Sequence, residues 1–84
     1  MLPLFEDDTP ARSESSIHAR EIMLAIASAP AAYRDAVIAV DLIGLSYREA
    51  ARSLRTREST ITSRLHRGRQ HVARVLSDEA TLAS

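Results

Sequence analysis

Residues 45–75 read LSYREAARSLRTRESTITSRLHRGRQHVARV. The stretch divides into two helical patterns separated by a short break. In the second, Ile61, Leu65, Gly68, Val72 and Val75 recur at helical period and form one apolar stripe. A glycine inside that stripe predicts close approach of a second helix, because any side chain at Gly68 would hold the partner away. The opposite face carries Ser59, Thr62, Ser63, His66, Arg67 and Gln70. These are short or planar donors and acceptors, the types that read base edges in a major groove. Arg64, Arg69 and Arg74 fall on the flanks, where phosphates would pass. The plainer reading of such a face is a solvated helix surface. Against it stand the absence of interleaved acid between Ser59 and Leu76 and the short helix placed just upstream.

That shorter helix is expected to start at Ser46. Ser46-Tyr47-Arg48-Glu49 fits a capping box, in which the serine hydroxyl accepts from the Glu49 N–H and the Glu49 carboxylate accepts from the Ser46 N–H. Ala50, Ala51 and Leu54 form its apolar side. The stripe changes phase near Arg55-Thr56-Arg57, so the helix must break there, with Thr56 as candidate N-cap of the next. Helix, tight turn, then helix with a polar outer face is the helix-turn-helix pattern.

The surrounding words carry a family resemblance. Tyr33-Arg34-Asp35-Ala36-Val37, Asp41-Leu42-Ile43-Gly44-Leu45-Ser46-Tyr47-Arg48-Glu49-Ala50-Ala51 and Thr60-Ile61-Thr62-Ser63-Arg64-Leu65-His66-Arg67-Gly68-Arg69-Gln70 resemble region 4 of bacterial sigma factors, especially the extracytoplasmic-function group. The resemblance spans residues 30–76. It departs from the family in the turn, where Arg55 and its neighbours stand in place of a usual glycine, and at Ser59, where another glycine is usual. Glycine at such a turn permits positive φ, so Arg55 is expected to strain or reshape it.

The resemblance implies a cytoplasmic promoter-recognition domain that binds the minus-thirty-five element through the major groove and docks on the flap of the RNA polymerase β subunit. It implies promoter DNA, the polymerase core and an anti-sigma factor as partners, with no membrane and no small-molecule substrate. Thr62, Ser63, His66 and Arg67 match the groove-facing positions and are the expected base contacts. Arg48, Arg57, Arg64 and Arg69 are the expected phosphate contacts. Two other readings remain open at this point. One is a stand-alone helix-turn-helix regulator. The other is a protein-interaction module, held by an anti-sigma factor or polymerase without reading DNA, for which the unusual turn is the motive.

Outward from the motif, 84 residues allow one domain. Aromatics make 4% of the chain and alanine is abundant, which favours helix over sheet. The expected architecture is all-α: four helices ending in a helix-turn-helix with a long C-terminal recognition helix. Residues 1–16 read as an acidic flexible linker or tail, 17–77 as the domain and 78–84 as a C-terminal tail. Met1-Leu2-Pro3-Leu4-Phe5 is a short apolar tip, with Leu4 and Phe5 able to fold back as a staple. A first helix is expected over residues 17–28, with Ile17, Ile22, Leu24, Ile26 and Ala27 as its apolar face and Met23 as filler. Pro30 opens a second helix and Gly44 stops it. Val37, Val40 and either Leu42 or Ile43 are expected to pack on the first helix and on the Leu65 stripe, and Tyr33 to cover the core's edge.

The formal net charge is zero, yet residues 45–76 hold eight arginines against two acids. Residues 1–44 hold three arginines against seven acids. The basic charge is therefore one contiguous segment, the electrostatic footprint of an anionic partner. No catalytic residue, cofactor or metal is expected. His66 and His71 point in different directions around their helix, and neither has a carboxylate three or four residues away. There is no glycine-rich phosphate loop and no cysteine, and no apolar run reaches membrane length.

Overall fold

The computed structural model describes residues 10–83, with side chains described for 18–78. Four α-helices follow one another: α1 (Pro10–Ala27), α2 (Ala31–Val37), α3 (Tyr47–Ser53) and α4 (Glu58–Ala83). A single π-helical turn, Ile38–Leu42, continues α2. Among the described residues there is no strand, and the all-α expectation holds. No helix among them is long and apolar enough to cross a membrane.

α4 is the spine, and every other helix packs on it. Two apolar clusters sit along its buried stripe. Near its start, Ile61 meets Ala39, Ala50 and Ala51, with Val40, Leu45 and Leu54 at the edge. Further along, Leu65 meets Ile26 and Val37, with Ile38, Val40 and Val72 around them. Ile61 and Leu65 are the largest side chains fully withdrawn from water. Alanines contribute most of the remaining core, which brings the helix axes close.

Gly68 is the tightest point. A Cβ built there would stand 2.5 Å from Val37 Cγ2 and 2.9 Å from the Tyr33 carbonyl oxygen. The expected close approach is therefore that of α2, whose backbone leaves no room for a methyl group. Tyr33 is half-buried beside it.

Three expectations require correction. The first helix begins at Pro10 and not near residue 17, so residues 10–16, assigned to the linker, are helical. Proline suits the first position of a helix, where its missing N–H has no intrahelical partner to lose. Residues 1–9, including the proposed staple of Leu4 and Phe5, lie outside the described residues. At the other end α4 continues to Ala83, through most of the segment expected as a tail.

The third correction concerns the core. Leu42 and Ile43 are 46% and 66% exposed, although one of them was expected inside. The π turn explains this. Ile43 N–H donates to the Ile38 carbonyl at 2.9 Å, a five-residue step that takes one extra residue per turn. Everything after Ile38 is rotated relative to a continuous α-helix, and Leu42 and Ile43 swing outward. On α1, Ala25 and Ile26 are buried, as is Ala29 just after it, whereas Ile22, Met23 and Leu24 remain largely exposed. Gly44 ends the turn with φ of +90°, a backbone state open to glycine.

Candidate nucleic-acid interface

The interface is built from α3, the turn after it, and the first half of α4. α3 starts with the expected capping box. Glu49 N–H donates to Ser46 Oγ at 3.0 Å, and Ser46 N–H donates to Glu49 Oε1 at 2.8 Å. The bond from the Ser46 backbone, followed by that from its hydroxyl, holds the Glu49 carboxyl below the ordinary glutamate range.

α3 ends in a Schellman turn. Thr56 N–H donates to the Ala51 carbonyl at 2.9 Å and Arg55 N–H to the Arg52 carbonyl at 3.3 Å. This pairing requires a left-handed residue between them, and Arg55 supplies it with φ of +55°. The strain expected from a non-glycine here is thus present, at a cost of roughly 1–2 kcal/mol. The turn nevertheless keeps its hydrogen bonds. Thr56 helps close α3, and α4 starts only at Glu58, so Thr56 does not hold the expected N-cap position.

The outer face of α4 is as expected. Ser59, Thr62, Ser63, His66, Arg67 and Gln70 are all exposed. Thr62 Oγ1 donates to the Glu58 carbonyl at 3.1 Å. Its proton is thereby committed, and what Thr62 offers a ligand is an acceptor lone pair and a methyl group. Arg48, Arg57 and Arg67 are exposed and Arg64 is half-exposed. Among the described residues these four make no ion pair within the chain. Their charges are free for an outside anion.

Arg69 differs. Its guanidinium grips Asp41 in a bidentate pair, Nε to Oδ2 at 3.0 Å and Nη2 to Oδ1 at 2.7 Å. The Asp41 hydrogen bond raises the arginine's already high pKa further. Arg69 therefore reaches back to the π turn. Of the four arginines expected at phosphates, Arg69 is held by a carboxylate, whereas Arg48, Arg57 and Arg64 have none among the described residues. The pair was not legible in the sequence, because the π turn sets where Asp41 points. One signal did exist: Arg69 lies one helical turn beyond Leu65, at the border of the buried stripe.

A second tie was also missed. Ser28 Oγ donates to the Ala25 carbonyl at 2.7 Å and lies 2.8 Å from His71 Nε2. With the serine proton given to Ala25, His71 Nε2–H is the donor to Ser28. His71 thus fastens α4 to the end of α1 and belongs to the scaffold.

Behind the interface lies a different surface. An open groove of about 320 Å³ runs between α1, the π turn and the C-terminal half of α4. Ile22, Ile26, Val37, Leu42, Val72 and Leu76 give it an apolar floor, and the Arg69–Asp41 pair stands on its wall.

The family profile described as sigma-70, region 4 matches residues 19–72. The chain is 36% identical over 61 residues to a protein named ECF RNA polymerase sigma factor SigE from Mycolicibacterium smegmatis (strain ATCC 700084 / mc(2)155). That match covers 73% of this chain and 24% of the relative, so the chain spans about a quarter of that protein's length. No solved structure matches the chain significantly.

Proposed function

The chain belongs to the sigma-70 region 4 family, in its extracytoplasmic-function type, and on that footing we propose that it recognises the minus-thirty-five element of promoters. The family is one of transcription-initiation domains and not of enzymes. The observation that carries the proposal is the first half of α4. A polar, acid-free face is flanked by arginines that have no ion-pair partner among the described residues.

In this reading α4 lies in the major groove. Ser63, His66 and Arg67 contact base edges, Arg67 by the two-pronged fork that suits guanine. Thr62 joins them as an acceptor or through its methyl group, since its proton is spent on Glu58. Arg48, at the start of α3, and Arg57 and Arg64, beside the groove-facing side chains, meet phosphates and set the register. Arg69 holds the reading helix against the π turn and is not counted among the phosphate contacts.

The apolar groove at the far half of α4 supports the second part of the proposal, docking on the flap of the polymerase β subunit. A surface of this composition fits an apolar partner segment. Polymerase and an anti-sigma factor are the proposed protein partners, and the place of action is the cytoplasm, where polymerase works. The test is duplex binding by Arg67→Ala. Loss of roughly 1–3 kcal/mol, with relaxed preference at one base pair, is expected. Unchanged affinity and unchanged preference would show that another face reads the DNA.

A further inference from the structure

His66 stands on the exposed outer face of α4 and, among the described residues, makes no hydrogen bond or ion pair within the chain. The other histidine of α4 is already engaged: His71 is tied to Ser28 at the end of α1. Resting on the promoter reading, we propose that His66 enters the groove as the imidazolium, so that the chain takes up one proton at this side chain on binding DNA and its base preference there follows pH. An imidazole is the side chain whose charge ordinarily changes between about pH 5 and 8.

The surrounding charges set the direction. No acid occurs between Ser59 and Leu76 on α4, whereas Arg64, Arg67 and Arg69 lie within three positions of His66. The π turn brings Asp41 to α4, but both its oxygens are held by Arg69. α3 brings Tyr47 beside Arg69, Arg48 with no ion pair among the described residues, and Glu49, whose carboxylate is occupied in its own cap. α1 and α2 pack on the buried stripe, through Ile26 and Val37 at Leu65 and through Tyr33 at Gly68. Of the charges on α2, Arg34 and Asp35 pair with each other. On α1, Ile22 lines the groove with Val72 and Leu76, so the neighbouring His18, Arg20 and Glu21 belong beside the C-terminal half of α4. In the free chain, then, arginines oppose a positive charge at His66. On a duplex, phosphates favour it. The cation is more stable bound than free, so DNA affinity is greatest in acid and falls as pH rises through the range where the bound imidazole loses its proton.

The chemistry of the contact changes with the charge. A neutral imidazole offers one donor and one acceptor nitrogen, the imidazolium two donors. Two donors suit guanine, whose groove edge presents the N7 and O6 acceptors. Thr62, one helical turn before His66, has given its proton to the Glu58 carbonyl and offers no donor there, so the protonated ring adds what that part of the face lacks. His71 does not supply the same effect. It keeps Nε2–H, and with it the bond to Ser28, in either charge state.

Affinity of the full chain for a fluorescent random-sequence duplex pool, measured from about pH 5.5 to about 8 at fixed ionic strength, tests the proposal. Binding is expected to tighten roughly three- to tenfold toward acid, with the slope of log K against log salt steeper by about 0.9 at the acid end. Selection from the same pool at both ends should favour guanine at one more position in acid. His66→Gln should still bind, with affinity and base preference flat across the range. His71→Gln, whose amide can still donate to Ser28, should keep the parent's pH dependence. Affinity or base preference independent of pH in the parent chain, or a pH dependence that survives His66→Gln or disappears in His71→Gln, would overturn the proposal and leave the promoter reading standing. Absence of duplex binding at every pH would overturn both.

Discussion

Arg69 and Asp41 lie 28 positions apart in sequence and meet through two hydrogen bonds of 3.0 and 2.7 Å. The pair ties α4 to the π turn. Both side chains are partly exposed, at 52% and 33%, so its contribution to stability is modest, roughly 0–1 kcal/mol. What it sets is orientation: the bidentate fork fixes how α4 is rotated against its support.

The same pair sorts the arginines. A guanidinium already neutralised by Asp41 adds little to counterion release. Arg57→Gln is expected to reduce the magnitude of the salt slope of DNA binding by about 0.9, the share of one phosphate. Arg69→Gln should leave the slope near that of the parent chain. Titrations at four or five salt concentrations separate the two, and equal losses for both variants would return Arg69 to the phosphate set.

Gly68 should tolerate nothing larger. Alanine there meets Val37 Cγ2 and the Tyr33 backbone at separations that real Cβ atoms do not adopt. A side chain can move, but the carbonyl cannot without shifting α2. Gly68→Ala is expected to cost about 1–3 kcal/mol, against a small gain in helix propensity. Thermal melting should fall by roughly 4–8 °C for each kcal/mol lost. An unchanged melting temperature would show that α2 yields easily.

Arg55 makes the opposite prediction. Its φ of +55° is a state that glycine reaches without steric cost. Arg55→Gly should stabilise the domain by up to about 1 kcal/mol, the relief of strain less the extra entropy of an unfolded glycine. Denaturant unfolding measures it. Arg55→Gly also removes a positive charge beside the proposed DNA face, so affinity at low salt should drop slightly even as stability rises.

The capping box predicts a pH dependence. Glu49 is held below its ordinary pKa by the Ser46 bonds, so the folded state binds its proton less readily than the unfolded chain does. Its contribution is fully present above the unfolded value, near about 4.3, and is lost as pH falls through the lower folded value. Ser46→Ala removes the smaller of the two causes, the hydroxyl, while the backbone N–H at position 46 still donates to Glu49. The acid limb of the stability curve should therefore be shallower in Ser46→Ala than in the parent chain, as followed by helical circular dichroism between neutral and acid pH.

Much of this was legible in the sequence because it is local. Ser46 and Glu49 stand three residues apart, and their spacing is itself the capping motif. Gly68 breaks an apolar stripe, and Arg55 falls where a turn needs positive φ. What could not be read depended on a single backbone event. The π turn at Ile38–Leu42 leaves no mark in composition or period, yet it turns Leu42 and Ile43 outward and aims Asp41 at Arg69. One residue of slippage thus joined an expected phosphate contact, Arg69, to Asp41 and turned both candidates for one expected core position, Leu42 and Ile43, to the surface. The start of α1 was missed for a different reason. Pro10 stands in the stretch expected as linker, yet the first turn of a helix accommodates a proline.

The most direct test of the central proposal is selection of this chain's preferred duplexes from a random pool at two salt concentrations, with sequencing of the bound fraction. A short enriched motif is predicted, bound less tightly at the higher salt. If Arg48, Arg57 and Arg64, which make no ion pair among the described residues, each neutralise one phosphate as proposed, the slope of log K against log salt is about −2.7. No enrichment, together with affinity indifferent to salt, would contradict the account and leave α4 without a role at DNA.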